Sequence, residues 1–203
     1  MSKPNSHYFV NDETLEDDIK EFNYSFKGKL YKFVSNSGVF SPGHVDDASA
    51  LLMREMPSIS SGSFLDLGCG YGAIGISLAG AANDSKSFRL TMSDVNERAL
   101  DLARLNASKN GIEADFILSD CFDAIENCFD AISLNPPIHA GKEVIFKMYE
   151  QAFEHLNKGG ALYIVIQEKH GAPSTIKKLK EVFGDCNTLY KKKGYYVLEA
   201  VKN

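Results

Sequence analysis

Residues Phe64-Leu65-Asp66-Leu67-Gly68-Cys69-Gly70-Tyr71-Gly72 constrain this chain most: an apolar strand ends on an acid, breaks into three alternating glycines and runs into a helix-like stretch. Glycine reaches positive φ without steric penalty and has no Cβ, so this spacing makes a tight turn whose backbone amides and carbonyls face whatever binds there. A strand, a glycine turn and a helix in that order begin a βαβ unit. Its right-handed crossover lays the helix on one face of a parallel sheet, and ligands of such sheets bind beyond the carboxyl ends of the strands.

The rest of the chain repeats the alternation. Strands are predicted near 63–66, 88–93, 115–118, 129–134, 161–166, 186–190 and 195–201, and helices near 73–81, 96–109, 142–156 and 174–183, with an earlier helix over 45–56 that Pro57 ends. This describes an α/β, Rossmann-like fold with a mostly parallel seven-stranded sheet and helices on both faces. The last two strands are joined by Lys191-Lys192-Lys193-Gly194, too short for a crossover, so the last strand pairs antiparallel. Upstream, Phe22 to Val34 alternates apolar and polar residues around Lys27-Gly28-Lys29, a hairpin signal. The division expected is an N-terminal extension with the hairpin over 1–36 and the main domain over 37–203.

Asp66, Asp94, Asp120 and Asn135 all fall at predicted strand ends and so converge on one crevice. Gly70-Tyr71-Gly72-Ala73-Ile74-Gly75 also fits the dinucleotide pattern G-x-G-x-x-G, with Asp94 where a ribose-binding acid belongs. Asp66 in Asp-x-Gly-x-Gly-x-Gly, and the later Asn135-Pro136-Pro137-Ile138, separate the two readings. Together they resemble the signature of class I S-adenosylmethionine (SAM) methyltransferases that act on planar amino groups. Gly38-Val39-Phe40-Ser41, Val45 to Leu52, His139-Ala140-Gly141-Lys142 and Val165-Ile166-Gln167 narrow the likeness to small-domain methyltransferases related to the small-subunit rRNA guanine-N2 enzymes of the C type.

That resemblance implies SAM as cofactor and RNA, in particular rRNA, as substrate. Phe40 and Ser41 would cover the methionine end of SAM, Gly68, Gly70 and Gly72 would let backbone pass against it, and Asp66 would brace the turn. Asp94 would accept from both ribose hydroxyls, as an acceptor-only carboxylate does without donor conflict; a helix N-cap is the other reading of this residue. Asp120 would accept from the adenine amino group, or is a turn aspartate. Asn135, also at the cofactor, and the Pro136 carbonyl would accept hydrogens from the amino group to be methylated. They carry the catalysis, in a segment that proline stiffens. Pro137, Ile138 and His139 would meet the substrate. Guanine-specific relatives often carry an aromatic where Ile138 stands, which leaves any stacking to Phe40, Tyr71 or Phe122. His139 stands where relatives commonly place Arg and reads either as a solvent-facing turn residue or as a contact to substrate.

Composition sets further bounds. With 44% hydrophobic and 24% charged residues in 203, the chain suits one soluble domain. No apolar stretch approaches the roughly 20 residues that span a bilayer, and the N-terminus lacks a signal-peptide core, so no membrane partner and a cytoplasmic location are expected. Cys69, Cys121, Cys128 and Cys186 form no C-x-x-C pair, and the histidines have no metal spacing, so reduced thiols and no metal are expected. The net charge of −5 hides acids crowded from Asp12 to Glu21 and lysines crowded at Lys169, Lys177, Lys178, Lys180 and Lys191 to Lys193. The second group is either a solvated face or a salt-sensitive RNA contact. Tandem relatives carry an extra N-terminal methyltransferase-like domain, so docking of substrate here falls to the hairpin, the lysine-rich end or a second subunit of a homodimer. Two rivals share the fold: a protein glutamine-amide methyltransferase, and a non-catalytic SAM- or RNA-binding module.

Overall fold

The computed structural model describes residues 19–36, 41–82 and 87–203. The acidic run from Asp12 to Asp18, and Phe40 with its neighbours Gly38 and Val39, lie outside the described residues. Strands β1 (Lys20–Phe26) and β2 (Lys29–Ser35) form the expected hairpin, with Phe22 opposite Phe33 and Phe26 opposite Lys29. Lys27 and Gly28 both take positive φ, 46° and 77°, the two-residue turn whose twist matches that of paired strands.

Helices and strands then alternate: α1 (Asp47–Glu55), β3 (Gly62–Leu67), α2 (Ala73–Ala81), β4 (Phe88–Asp94), α3 (Glu97–Lys109), β5 (Asp115–Leu118), β6 (Phe129–Leu134), α4 (Lys142–Glu154), β7 (Leu156–Gln167), α5 (Ala172–Phe183), β8 (Asn187–Lys192) and β9 (Tyr195–Val201). Strands β3 to β9 form one sheet in the order β5-β4-β3-β6-β7-β9-β8. Strands β3 to β7 pair parallel, and β9 runs antiparallel to both its neighbours. Because β9 is reversed, its first residue Tyr195 pairs with the last residue of β7, Gln167. The β8–β9 turn therefore lies on the same sheet edge as the carboxyl ends of the parallel strands.

One face of the sheet is covered by α1, α2, α3 and the hairpin, the other by α4 and α5. The hairpin is a separate sheet, yet Tyr31, Phe33 and Val34 are buried in the same core as α2 and α3. That cover explains why α2 is apolar nearly all round and buried from Ala73 to Ala79. Asn106 of α3 ties the hairpin down: its Oδ1 accepts from the Val34 N–H at 2.7 Å, and its Nδ2 donates to the carbonyls of Val34 and Tyr71, each at 2.9 Å.

Several boundaries shift from the sequence expectation. The helix expected to run to 156 stops at Glu154, and the strand expected at 161 starts at Leu156. His155 ends the helix, placing its ring nitrogens 2.8 and 2.9 Å from the carbonyls of Gln151 and Ile125. The pair Gly159-Gly160, between the helix and the strand expected from sequence, sits inside β7, where the pairing with β6 is irregular. A Cβ on Gly160 would come within 3.0 Å of three backbone carbonyl oxygens, so glycine there admits close strand approach. Strand β8 extends through Lys191 and Lys192 because the turn is confined to Lys193 and Gly194, at φ 52° and 76°.

Candidate active site

The glycine turn leaves β3 with φ of 68° at Gly68, 57° at Gly70 and 89° at Gly72. A Cβ added at Gly68 or Gly70 would meet no heavy atom within 4 Å, so the backbone there stands open to a ligand. Asp94, ending β4, holds the turn: its Oδ2 accepts from the Gly70 N–H at 2.8 Å and its Oδ1 from the Asn96 N–H at 2.9 Å. Each oxygen keeps acceptor capacity for one hydroxyl of a diol. Burial pushes the Asp94 carboxyl pKa up, opposed by these backbone donors. The N-cap of α3 is Asn96, which accepts from the Arg98 N–H, and not Asp94.

Asp66 lies behind the turn and does not reach the crevice. It is 1% exposed, its Oδ2 accepts from the Gly75 N–H at 2.9 Å, and its Oδ1 accepts from the Ser133 hydroxyl at 2.8 Å. Helix α2 has Gly72 at its N-cap and no side chain of its own to satisfy the first turn, so Asp66 supplies the missing acceptor from the neighbouring strand. Burial pushes its pKa up to about 6, with Ser133 and Gly75 working against that and Asp94 adding to it.

Asn135 ends β6 with its carboxamide held from one side. Its Nδ2 donates to Ser49 Oγ at 3.1 Å and to Asp46 Oδ1 at 3.4 Å. Asp46 is the N-cap of α1, and the same Oδ1 accepts from the N–H groups of Ala48 and Ser49 at 3.0 and 3.1 Å. A carboxylate only accepts, so the amide NH2 must face Asp46 and the Asn135 Oδ1 is left as a free acceptor. Next along the chain, the Pro137 carbonyl accepts from the Ala140 N–H at 2.9 Å, whereas the Pro136 carbonyl has no hydrogen bond among the described residues. Consecutive residues thus offer two acceptors with no donor among the described residues.

These groups line a cavity of about 1010 Å³ beyond the carboxyl ends of the strands. Ser41, Gly68, Gly70, Asp94, Asp120 and Asn135 reach it, as do Pro136, Pro137, Ile138 and His139. Asp66 and Gly72 do not, and Phe40 lies outside the described residues. Ser41 spends its hydroxyl on the His44 carbonyl at 3.0 Å. Ile138 is 38% exposed at the cavity edge. Of the aromatics named for stacking, Phe122 is 2% exposed and packs on His155, with ring centroids 4.6 Å apart, away from the cavity. Tyr71 touches the cavity but is 4% exposed, with Phe22 and Phe33 against its ring.

The sequence reading assigned no role to Asp46 and Ser49, although an Asp opening the 45–56 helical pattern is an N-cap signal. It also missed His170 and Tyr195, which with Gln167 line the far end of the cavity; only the pairing of β7 with β9 brings Tyr195 there. All four cysteines are free. Cys69 and Cys121 border the cavity, and burial pushes both thiols up, Cys121 to about 11, which keeps them protonated. Among the described residues no cluster of metal-ligating side chains occurs and no helix is long and apolar enough to cross a membrane.

The model of the methyltransferase small domain family matches residues 30–199. The Bacillus subtilis "uncharacterized protein YbxB" is 43% identical over 97% of this chain and 98% of its own length. The Actinobacillus pleuropneumoniae ribosomal RNA small subunit methyltransferase C is 33% identical over 90% of this chain and 56% of its own length. Among solved structures, the T. thermophilus 16S rRNA N2 G1207 methyltransferase (RsmC), in complex with AdoMet and guanosine, superposes with a TM-score of 0.81 at 29% identity, covering 91% of this chain and 51% of its own. This chain spans about half the length of those rRNA methyltransferases. A Pyrococcus furiosus methyltransferase, with a TM-score of 0.65 at 22% identity, shares the fold. A glycine turn open to a ligand, a diol-ready Asp94 and a crevice ending in Asn-Pro-Pro suit SAM, and with the family match they make this chain a class I SAM-dependent methyltransferase of the methyltransferase small domain family.

Proposed function

We propose that the chain transfers a methyl group from SAM to an exocyclic amine of an RNA base, with guanine N2 of small-subunit rRNA as the target, in the cytoplasm. The observation that carries this reading is the fixed carboxamide of Asn135, whose acceptor oxygen, like the carbonyl of the adjacent residue Pro136, has no donor among the described residues. SAM, when bound, supplies a methyl group already activated by its sulfonium. The protein's task is then to prepare a poor nucleophile, because an exocyclic amine delocalises its lone pair into the ring. The Asn135 Oδ1 and the Pro136 carbonyl each accept one amino hydrogen, which favours tetrahedral nitrogen and aims its lone pair. Such contacts strengthen as the nitrogen pyramidalises, so they act mainly on the reacting state. No strong base is needed, since the alkylated nitrogen becomes acidic and loses its proton to water. On this reading Ser41, Gly68, Gly70, Asp94 and Asp120 hold SAM, Asp66 and Gly72 shape the turn behind it, and Pro137, Ile138 and His139 meet the base. The rRNA relatives named above support the choice of substrate.

The test is transfer of labelled methyl from SAM to total RNA and, separately, to total protein from a strain lacking the gene, followed by nucleoside analysis. Label in N2-methylguanosine is expected. Label in glutamine would move the assignment to an amide. Asn135→Ala should lower transfer by roughly two to three orders of magnitude, the usual effect of deleting one transition-state-directed polar group, and leave SAM affinity nearly intact.

A further inference from the structure

The cavity is charged unevenly along the sheet. Its β3 to β5 end carries Asp94 and Asp120. Asp46 and Asp47, at the start of α1, are further acids of the lining, and Asp46 Oδ1 already accepts from the Ala48 and Ser49 N–H groups. At the β7 to β9 end two turns meet: the Glu168 N–H donates to the Gly194 carbonyl at 2.7 Å, joining the turn after β7 to the β8–β9 turn. Lys169, Lys192 and Lys193 are exposed on these joined turns and engage no partner among the described residues. Lys191 leans on the Tyr196 ring, and Glu168, on the turn after β7, accepts from the Tyr196 hydroxyl at 3.4 Å. At the same place Tyr195 is half-buried in the cavity wall, its hydroxyl accepting from Gln167 Nε2 at 2.8 Å.

We infer that this end of the cavity is a platform for single-stranded RNA, on which Tyr195 stacks a base and Lys169, Lys192 and Lys193 hold the adjoining phosphates. The inference rests on the RNA substrate proposed above and names where that RNA lies. An aromatic ring flanked by unpaired cations is the arrangement that binds single strands, because every base has a π face and every nucleotide a phosphate. The ring is held by Gln167, so little side-chain freedom is lost on stacking. The sheet order puts Asn135, on β6, between the acidic end and this platform, so a strand lying on β7 and β9 delivers its neighbouring base to the reacting position. A duplex keeps its bases stacked inward and gives Tyr195 nothing to hold.

The test uses the full chain and a short fluorescein-labelled single-stranded RNA, with affinity followed by anisotropy across salt concentrations. The triple substitution of Lys169, Lys192 and Lys193 by Gln should flatten the log–log salt dependence by about two, from three phosphate contacts at roughly 0.7 each. Tyr195→Leu should weaken binding roughly tenfold with the slope unchanged, and Tyr195→Phe should restore most of it. SAM affinity should be unchanged in all three. Unaltered slope and affinity in the variants, with wild-type protein still methylating RNA, would overturn the platform and leave the proposed function standing. Equal affinity for a duplex of the same sequence would also overturn it. Label entering protein in place of RNA would sink the proposed function itself, and the platform with it.

Discussion

The orientation of the Asn135 carboxamide turns on one residue outside the Asn-Pro-Pro motif. Ser49 Oγ both donates and accepts, so it would hold either face of the amide equally well. Asp46 accepts only, and its Oδ1 is already pinned by the N–H groups of Ala48 and Ser49, so it alone decides which way Asn135 points. The Asp46–Asn135 contact is long at 3.4 Å, which puts it at the weak end of charged hydrogen bonds, about 1.5 kcal/mol or roughly a tenfold bias between the two orientations. Asp46→Ala should therefore let the productive orientation fall from about nine-tenths of molecules to about half, lowering the methyl-transfer rate roughly twofold. Loss of the α1 cap should destabilise the fold by about 1 kcal/mol at the same time. Asp46→Asn is the control: asparagine caps as well as aspartate, and the oxygen that the two backbone N–H groups pin is the same one that meets Asn135. It should retain most of the rate. Single-turnover transfer at saturating SAM, corrected for folded fraction by urea unfolding, measures this directly. Should Asp46→Ala turn over like wild type, the amide is oriented by something else and the argument from acceptor chemistry is wrong.

Asp94→Ala should weaken SAM binding on the order of a hundredfold, from two lost hydrogen bonds to a charged acceptor at roughly 1.5–3 kcal/mol each less the compensation of water; calorimetry showing unchanged affinity would remove Asp94 from the site, and wild-type protein should bind neither NAD nor NADP. Asp66 keeps a proton in the folded state up to about pH 6, against an ordinary carboxyl value of 3.8. The unfolded chain thus binds fewer protons in that window, and the stability of the wild type should fall as pH rises through it. Asp66→Asn should lack that slope, so parallel urea midpoints for the two proteins between pH 4 and pH 7 would refute the assignment. Phe33→Ala should destabilise the whole domain by about 3–5 kcal/mol in one cooperative transition, since Phe33 is 1% exposed in the core shared with α2 and α3; a separate early transition would mark the hairpin as an independent appendage.

Most of the architecture was legible in the sequence because it rests on local chemistry. The glycine spacing dictates a turn, apolar runs with the right period dictate strands and helices, and a connection as short as Lys191-Lys192-Lys193-Gly194 dictates an antiparallel last strand. Acids and an asparagine at strand ends pointed to one crevice because a parallel sheet gathers its carboxyl ends on one edge. What stayed hidden depended on which strands became neighbours. Insertion of β9 between β7 and β8 carries Tyr195 and the lysine turn to the cavity, and no local pattern encodes that order. Asp66 and Asp94 look alike at strand ends in sequence, yet the alternation of β3 turns Asp66 into the core to cap α2 while Asp94 remains at the crevice. Asp46 and Asn135, 89 residues apart, meet because α1 packs against the sheet at β7 and β9. The sequence by itself determined which groups were available. Tertiary packing decided which of them share a hydrogen bond, because side-chain orientation is set by the acceptors and donors that folding brings from distant segments.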